Sequence, residues 1–371
     1  MRADGPPASR HPAPLWARIC LILGSAIMVV SGGLVVVPRV LEAWVIGGVE
    51  RPPLVPPELL RDTIDGAINV LLLGMDERKG SDEPVRADTI IILHIPANHD
   101  QAYLISLPRD LEVDIPAFAP TNFRGDRTKI NAAFAYGARD AANKPDTSAR
   151  GRTLGANLTM RTINQLVPGG LTFNGAAIIN FAGFRKVLDA LEGVHLCVDE
   201  ETRSIHFDIH GHYHTNKIAD INERKVYPVG CRDMQGWEAL DFARQRYGVK
   251  DADYTRQRHQ QQLLMAMFRK MTSRGTLTDP GKIVELQRSA GGLLTLDLGR
   301  ASLTEWFYTL RGITADRIVM VKTNGGRLNP IGNGNEALTA DSVELLKAVR
   351  DDTVLDFLAD HRDWIATEKH G

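Results

Sequence analysis

The chain has 371 residues, enough to bury a full core in one or two domains. Its 44 basic and 45 acidic residues leave a net charge of −1, which argues against a nucleic-acid footprint spread over the surface. Aromatic residues are sparse at 6% and are not interleaved with basic runs, so a stacking platform for bases is not indicated either and no nucleic-acid partner is expected.

Residues 19–37 (ICLILGSAIMVVSGGLVVV) are nineteen consecutive uncharged positions, about 28 Å if helical, which matches the core of a bilayer. Arg2, Arg10 and Arg18 precede the run, so the positive-inside rule puts the N-terminus in the cytoplasm and the remainder outside. A cleaved signal peptide is the alternative. The run ends at Val36 and Val37 without a small-x-small cleavage site, which favours an uncleaved anchor. The expectation is a single-pass plasma-membrane protein with a cytoplasmic tail (1–18), a transmembrane helix (19–37), a proline-broken stalk (38–66) and an extracytoplasmic domain (67–365).

Three short apolar runs bounded by turn residues, 68–73, 89–95 and 102–107, read as strands. If they run up, down and up, Asp76, Asp88 and Arg109 gather at one edge of the sheet. Helical patterns follow at 130–136, 154–166 and 181–191, then a strand at 194–198. A short helix at 237–242 leads into an arginine-rich run, and a longer helix spans about 254–271, with Leu263, Leu264, Met267 and Phe268 at apolar spacing. The last hundred residues alternate helix and strand signals, including 317–321 and 343–349. This is the pattern of one mixed α/β domain. Beyond the span, Cys197 and Cys231 are the only cysteines, and an even pair in an exported domain reads as a disulfide, two unrelated thiols being the alternative.

The run ALDFARQRYGVKDADYTRQRHQQQ (239–262) holds Arg244, Arg246, Arg256 and Gln260. Guanidiniums present a planar, permanently charged fork that fits phosphate oxygens. Arg244 and Arg246 share a face only on extended chain, so the preceding helix is expected to end near Arg244, with both arginines on its extended continuation. Arg256 and Gln260 share a face of the next helix. The alternative for Arg256 is a surface ion pair with Asp253. Asp76 and Asp88 would repel one another without a cation, and two carboxylates beside phosphate oxygens are the usual protein share of a Mg²⁺ site; taken singly, either Asp is ordinary turn chemistry. His206, His210, His212 and His214 (HFDIHGHYH) fit no zinc spacing and read as an exposed insertion. Gly332-Asn333-Gly334 does not complete a dinucleotide fingerprint.

In order along the chain come NVLLLGMDER (69–78), RADTIIIL (86–93), SLPRDLEVDIP (106–116), KINAAFAYG (129–137), FAGFRKVLDALEGV (181–194), ALDFARQR (239–246) and DADYTRQRHQQQ (251–262). This series resembles the LytR–CpsA–Psr proteins of bacterial cell-wall assembly over a core of about residues 69–264. The resemblance implies an α/β fold with a central mixed, largely antiparallel sheet flanked by helices. It implies transfer of a glycopolymer from a polyprenyl-pyrophosphate carrier to a peptidoglycan acceptor through a phosphodiester, dependent on Mg²⁺ (or Mn²⁺ in its place), with membrane lipid as a further partner.

Asp76 and Asp88 match the metal-associated aspartates of that family, and Arg109, Arg244, Arg246, Arg256 and Gln260 the pyrophosphate-binding positions. Arg78, Arg86 and Lys129 match further motif positions. The Cys197–Cys231 pair resembles one found in actinobacterial members. Two departures stand out. His259 replaces an arginine, which is expected to weaken the anion site unless the ring is protonated. Glu192 occupies a glycine position before Gly193, which puts the local turn in question. Ile178, Ile179, Phe184, Leu188 and Met267 could line a lipid groove or simply fill the core. A pyrophosphatase acting on the same lipids, or a non-catalytic polyprenyl-phosphate carrier or regulator, are the rival functions.

Overall fold

The computed structural model describes residues 52–75, 83–246, 252–272 and 294–366. Among these no helix is long and apolar enough to cross a membrane. The tail at 1–18, the expected span at 19–37, the stalk as far as residue 51, and the site candidates Asp76 and Arg78 lie outside the described residues.

The three predicted strands are present, the first two slightly longer than their apolar runs and the third coincident with its run: β1 (Ile68–Met75), β2 (Ala87–Ile95) and β3 (Ala102–Leu107). They pair antiparallel in that order, with Leu71 opposite Ile92 and Ile92 opposite Ile105. A small ladder of β4 (Glu112–Ile115) and β5 (Asp126–Lys129) leads into α1 (Asn131–Gly137) and α2 (Ala149–Leu166). Next come β6 (Gly175–Asn180), α3 (Phe181–Ala190), β7 (Val194–Val198), β8 (Thr202–Asp208), β9 (Arg224–Tyr227) and β10 (Gly230–Met234). The chain continues through α4 (Gly236–Arg244), α5 (Ala252–Thr272), β11 (Leu294–Asp297), α6 (Leu303–Leu310), β12 (Ile318–Lys322) and α7 (Ala340–Asp351).

The central sheet has six strands in the order β11-β6-β1-β2-β3-β12. β6 joins β1 and β12 joins β3 in parallel, while the other three pairings are antiparallel, so the sheet is mixed as expected. Alternation along the strands divides the buried side chains between two faces. Leu71, Leu73, Ile90, Ile92, Ile105 and Leu107 belong to the main core with Phe134 of α1, Leu158 and Ile163 of α2 and Leu345 of α7. On the other face Ile68, Val70 and Ile95 meet Trp306 of α6, and Ile91 and Leu104 meet Met265 of α5. Each fully buried Leu or Ile contributes about 1.5–3 kcal/mol relative to exposure, so covering both faces is what makes near-continuous apolar strands stable here.

α5 also closes a second core. Leu263, Ala266 and Met267 pack with Leu188 of α3, Val194, Leu196 and Val198 of β7, and Phe242 of α4. Its middle is thereby held between this core and the sheet. Cys197 of β7 faces Cys231 of β10 in antiparallel register and the two form a disulfide. The loop it closes carries the β8–β9 hairpin.

The stalk expectation is corrected for residues 52–66. Leu54, Val55, Leu59 and Ile64 are buried, and the Val55 amide donates to Asp297 Oδ2 at 2.9 Å. The prolines break regular structure there but do not keep the segment off the domain, because its leucines complete the core. The lipid-groove candidates divide likewise: Ile178 belongs to the main core, whereas Leu188 and Met267 belong to the second.

Candidate active site

The topology sets the site. Met75 lies opposite both Ala87 and Asn180, and Ile90 lies opposite Leu107. The end of β1, the start of β2 and the ends of β3 and β6 therefore share one sheet edge, as the up-down-up expectation required. Asp88 is the second residue of β2 and Arg109 lies two residues past β3, and their side chains meet: Arg109 Nη1 donates to Asp88 Oδ1 at 2.8 Å.

Beside this edge opens a cleft of about 1060 Å³, and Asp88, Arg109, Arg244, Arg246, Arg256 and Gln260 all line it. Three segments distant in sequence thus bring four guanidiniums to one concave surface, and Arg185 of α3 adds a fifth. α4 ends at Arg244, and Gln245 turns into extended backbone, so only Arg246 lies beyond the helix; the expected extended pair is in fact one residue on the last helical turn and one past it. The Arg244 guanidinium carbon lies 4.0 Å from the centre of the Phe181 ring, at the first residue of α3. Arg256 and Gln260, four apart on α5, face the cleft together.

An acidic shell lies behind the cations. Arg109 Nε lies 3.5 Å from Asp110 and 3.7 Å from Asp253, and Arg256 pairs with the same Asp253 oxygen. The pair is not the surface contact considered above, since Arg256 is only 5% exposed. Burial works against the charge of Arg109, but Asp88, Asp110 and Asp253 outweigh it and hold its pKa above the ordinary arginine value. For Arg256 burial wins: its pKa is pushed down, with Asp253 opposing and Arg109 adding to the shift. The Nε atoms of both arginines are buried without a hydrogen-bond partner among the described residues, although that of Arg109 faces two carboxylates.

The remaining sequence candidates occupy other positions. Lys129 reaches Asp110 at 2.7 Å and the Gly334 carbonyl at 2.8 Å, so it braces the shell rather than lining the cleft. Arg86 is exposed just before β2 and does not line the cleft. His259 is wholly buried and turned from the anion site: its ring stacks on Phe242 with centroids 4.0 Å apart, and Nε2 lies 3.2 Å from Asp199 Oδ1. Burial lowers its pKa against the pull of Asp199. Asp199 is itself held at about 2, because His259 and Arg258 overcome the opposing effect of burial. At this position the histidine therefore packs behind the cleft and lends it no charge.

Sequence reasoning missed Asp110, although it follows Arg109 directly. It also missed Glu336, which is 1% exposed and accepts from the Tyr254 hydroxyl at 2.9 Å. Burial pushes the Glu336 carboxyl up to about 7; Tyr254 opposes, while Asp253 and Asp110 add to the shift. No sequence signal marked it, since it comes from a hairpin more than eighty residues past α4. The four histidines do lie on an exposed hairpin, where His212 and His214 flank Asp208 at 3.3 and 3.0 Å. Among the described residues the only cluster with metal-ligand spacing is His195, Cys197 and Cys231, and its sulfurs are spent in the disulfide.

These features define an α/β protein with a large cationic cleft at one sheet edge. A family model described as the LytR_cpsA_psr family matches residues 56–351, and the chain belongs to that family. It is similar to the polyisoprenyl-teichoic acid–peptidoglycan teichoic acid transferase TagU of Oceanobacillus iheyensis, at 29% identity over 220 residues covering 59% of this chain and 56% of that protein. It is also similar to the probable cell wall biosynthesis protein LcpB of Corynebacterium glutamicum, at 28% identity over 290 residues covering 75% of this chain and 59% of that one. The match therefore spans little more than half the length of these relatives. Two solved structures share the fold. B. subtilis TagV has a TM-score of 0.53 at 20% identity, covering 79% of this chain and 98% of that one. TagT bound to LIIa-WTA has a TM-score of 0.55 at 20% identity, covering 80% and 97%.

Proposed function

We propose that the cleft binds the diphosphate of a polyprenyl-pyrophosphate-linked glycan and that the protein transfers this glycan to peptidoglycan as a phosphodiester. The observation that carries this reading is the convergence of Arg109, Arg244, Arg246, Arg256 and Gln260 with Asp88 on one cleft. Family membership and the names of the relatives support it. We further propose that residues 19–37 anchor the chain in the plasma membrane, with the N-terminus cytoplasmic and the site outside, where both substrates would be met.

In this mechanism the guanidiniums hold the non-bridging oxygens and the Gln260 amide donates a further hydrogen bond. A sugar hydroxyl of the acceptor attacks the sugar-linked phosphorus; the new O–P bond forms as the bond to polyprenyl phosphate breaks. Fixed cations aimed at the charge that shifts onto the leaving group supply most of the acceleration. The hydroxyl proton must pass to a base, for which Asp76 is our candidate. For a divalent ion, Asp88 offers hard carboxylate oxygen at the cleft, the donor type that Mg²⁺ takes in ones and twos alongside substrate phosphates. Asp88 fits that role, and with Asp76, which lies outside the described residues, it would hold Mg²⁺ or Mn²⁺. When bound, the ion neutralises diphosphate charge.

The test is incubation of the full-length protein with a lipid-diphosphate glycan, peptidoglycan and Mg²⁺. The expected product is glycan linked to peptidoglycan by a phosphodiester, reduced about 100-fold or more in Arg244→Ala. Free phosphate-terminated glycan without transferred product would sink the transfer reading in favour of a pyrophosphatase.

A further inference from the structure

The cleft has a second wall that the diphosphate reading does not use. It is built by His206, Phe207, Tyr213 and Thr215 of the β8–β9 hairpin and by Trp237 at the start of α4. The Phe207 ring centre lies 4.7 Å from that of Trp237 and 5.4 Å from that of Tyr213, so the three rings are contiguous. Tyr213 remains 61% exposed, an aromatic surface left uncovered inside a concavity.

Ring faces carry negative quadrupole potential and do not attract phosphate. Nor does the wall suit an isoprenoid chain, because His206 and Thr215 interrupt its apolar surface. Aromatic faces edged by hydroxyl and imidazole groups instead match a ring with C–H faces and hydroxyl rims. We propose that Phe207, Tyr213 and Trp237 form a saccharide subsite that holds the sugar ring next to the diphosphate. The proposal rests on the diphosphate reading of the arginines.

The wall is tied to the arginines by construction. Trp237, Asp241 and Arg244 recur at i, i+4 and i+7 of α4, one face of the helix, with the first and last about 10 Å apart along its axis. The hairpin is pinned to the same helix. The Tyr227 hydroxyl donates to Asp241 Oδ2 at 2.9 Å, Gln245 Nε2 donates to Asp241 Oδ1 at 2.7 Å, and the Ile205 amide donates to Gln245 Oε1 at 3.2 Å. Lys225 pairs with Glu238 at 2.7 Å and lies over the Trp237 ring at 5.2 Å. The Cys197–Cys231 bridge closes the base of the insertion. Aromatic wall and terminal arginine are therefore carried on one helix, which suits a ligand that is sugar at one end and phosphate at the other.

The sugar could belong to the carrier-linked glycan or to the acceptor, and the test separates them. Full-length protein in detergent micelles is titrated with farnesyl diphosphate, with farnesyl-diphosphoryl N-acetylglucosamine, and with the N-acetylglucosaminyl-N-acetylmuramic acid disaccharide. Tyr213→Ala is expected to bind one of the two sugar ligands about 5–10-fold more weakly and farnesyl diphosphate unchanged, while Tyr213→Phe keeps both affinities. The ligand that loses affinity names the source. Equal loss on all three ligands, or no loss on either sugar, overturns the subsite. Failure of the wild type to bind farnesyl diphosphate, or equal binding by Arg244→Ala, overturns the diphosphate reading instead. Phe207→Ala provides an independent second variant, with near-ultraviolet circular dichroism confirming that each folds.

Discussion

Arg109 donates to Asp88 at 2.8 Å, so the carboxylate that a metal would take is already satisfied by one of the cations a phosphate would take. Without a divalent ion this pair ties up both groups. Asp88→Asn keeps the shape but removes the charge, releasing Arg109 to an anion. The expected outcome is a reversal. In EDTA the variant binds farnesyl diphosphate more tightly than the wild type, and in Mg²⁺ more weakly, with transfer reduced about 100-fold. Calorimetric titrations under the two conditions check it; equal affinities in EDTA would show that the ion pair does not compete with the ligand.

Phe181 holds the Arg244 guanidinium from below, 4.0 Å from the ring centre. A cation–π contact of this exposure contributes about 0.5–1 kcal/mol. Phe181→Ala is therefore expected to weaken diphosphate binding about 2–5-fold, and Phe181→Leu to do the same, because bulk without a π face does not restore the contact. Affinity measured for both variants distinguishes stacking from simple packing.

His259 sits in the second core against Phe242, with Asp199 on its Nε2. His259→Ala leaves a cavity and strips Asp199 of one partner while Arg258 remains at 2.6 Å. We expect a loss of about 2–4 kcal/mol in unfolding free energy, with diphosphate affinity in the folded protein unchanged. Denaturant titration and ligand titration on the same preparation separate these outcomes. A selective loss of affinity would return His259 to the anion site.

The contrast shows what the sequence could and could not convey. Apolar runs with turn boundaries gave β1, β2 and β3 and the edge that gathers Asp88 and Arg109, because strand periodicity and short connections leave few topologies. Helical spacing gave the shared face of Arg256 and Gln260. His259 escaped the same reading: one residue along a helix turns a side chain by about 100°, enough to move it from the cleft into the core. Glu336 and the aromatic wall depend on long-range packing of a hairpin and an insertion, for which local pattern carries no information. Residues 52–66 misled for a related reason. Prolines exclude helix and central strand but do not exclude burial of the leucines between them.

Glu336 links stability to pH. Its folded-state carboxyl titrates at about 7, above the ordinary 4.5, so the folded form keeps a proton that the unfolded chain releases earlier. Stability from this group is full below about pH 4.5 and is lost as pH rises through 7, by on the order of 3 kcal/mol. Glu336→Gln retains an acceptor for the Tyr254 hydroxyl and removes the titration. The expected result is a flatter stability profile between pH 5 and 8 and a higher Tm than the wild type at pH 8. Parallel profiles for the two proteins would place the titration elsewhere.

Glu192 adopts φ of +59° and Gly193 φ of +81° at the turn from α3 into β7. The family's glycine at the first position is thus replaced by a side chain in a left-handed conformation that costs about 1–2 kcal/mol. Gly193 has no such latitude, because a Cβ there would stand 2.4 Å from the Met234 carbonyl oxygen. Glu192→Gly relieves the strain but adds freedom to the unfolded chain, so the net gain is about 0–1 kcal/mol. Gly193→Ala combines strain with a clash against backbone and is expected to cost more than 2 kcal/mol, on the scale of about 1–3 kcal/mol for strained φ alone. Because this turn sets the register of β7 against β10, the same variant should slow closure of the Cys197–Cys231 bridge during refolding from the reduced state. Thiol trapping over time measures that rate. Similar effects from both substitutions would mean that the turn tolerates either residue at either position.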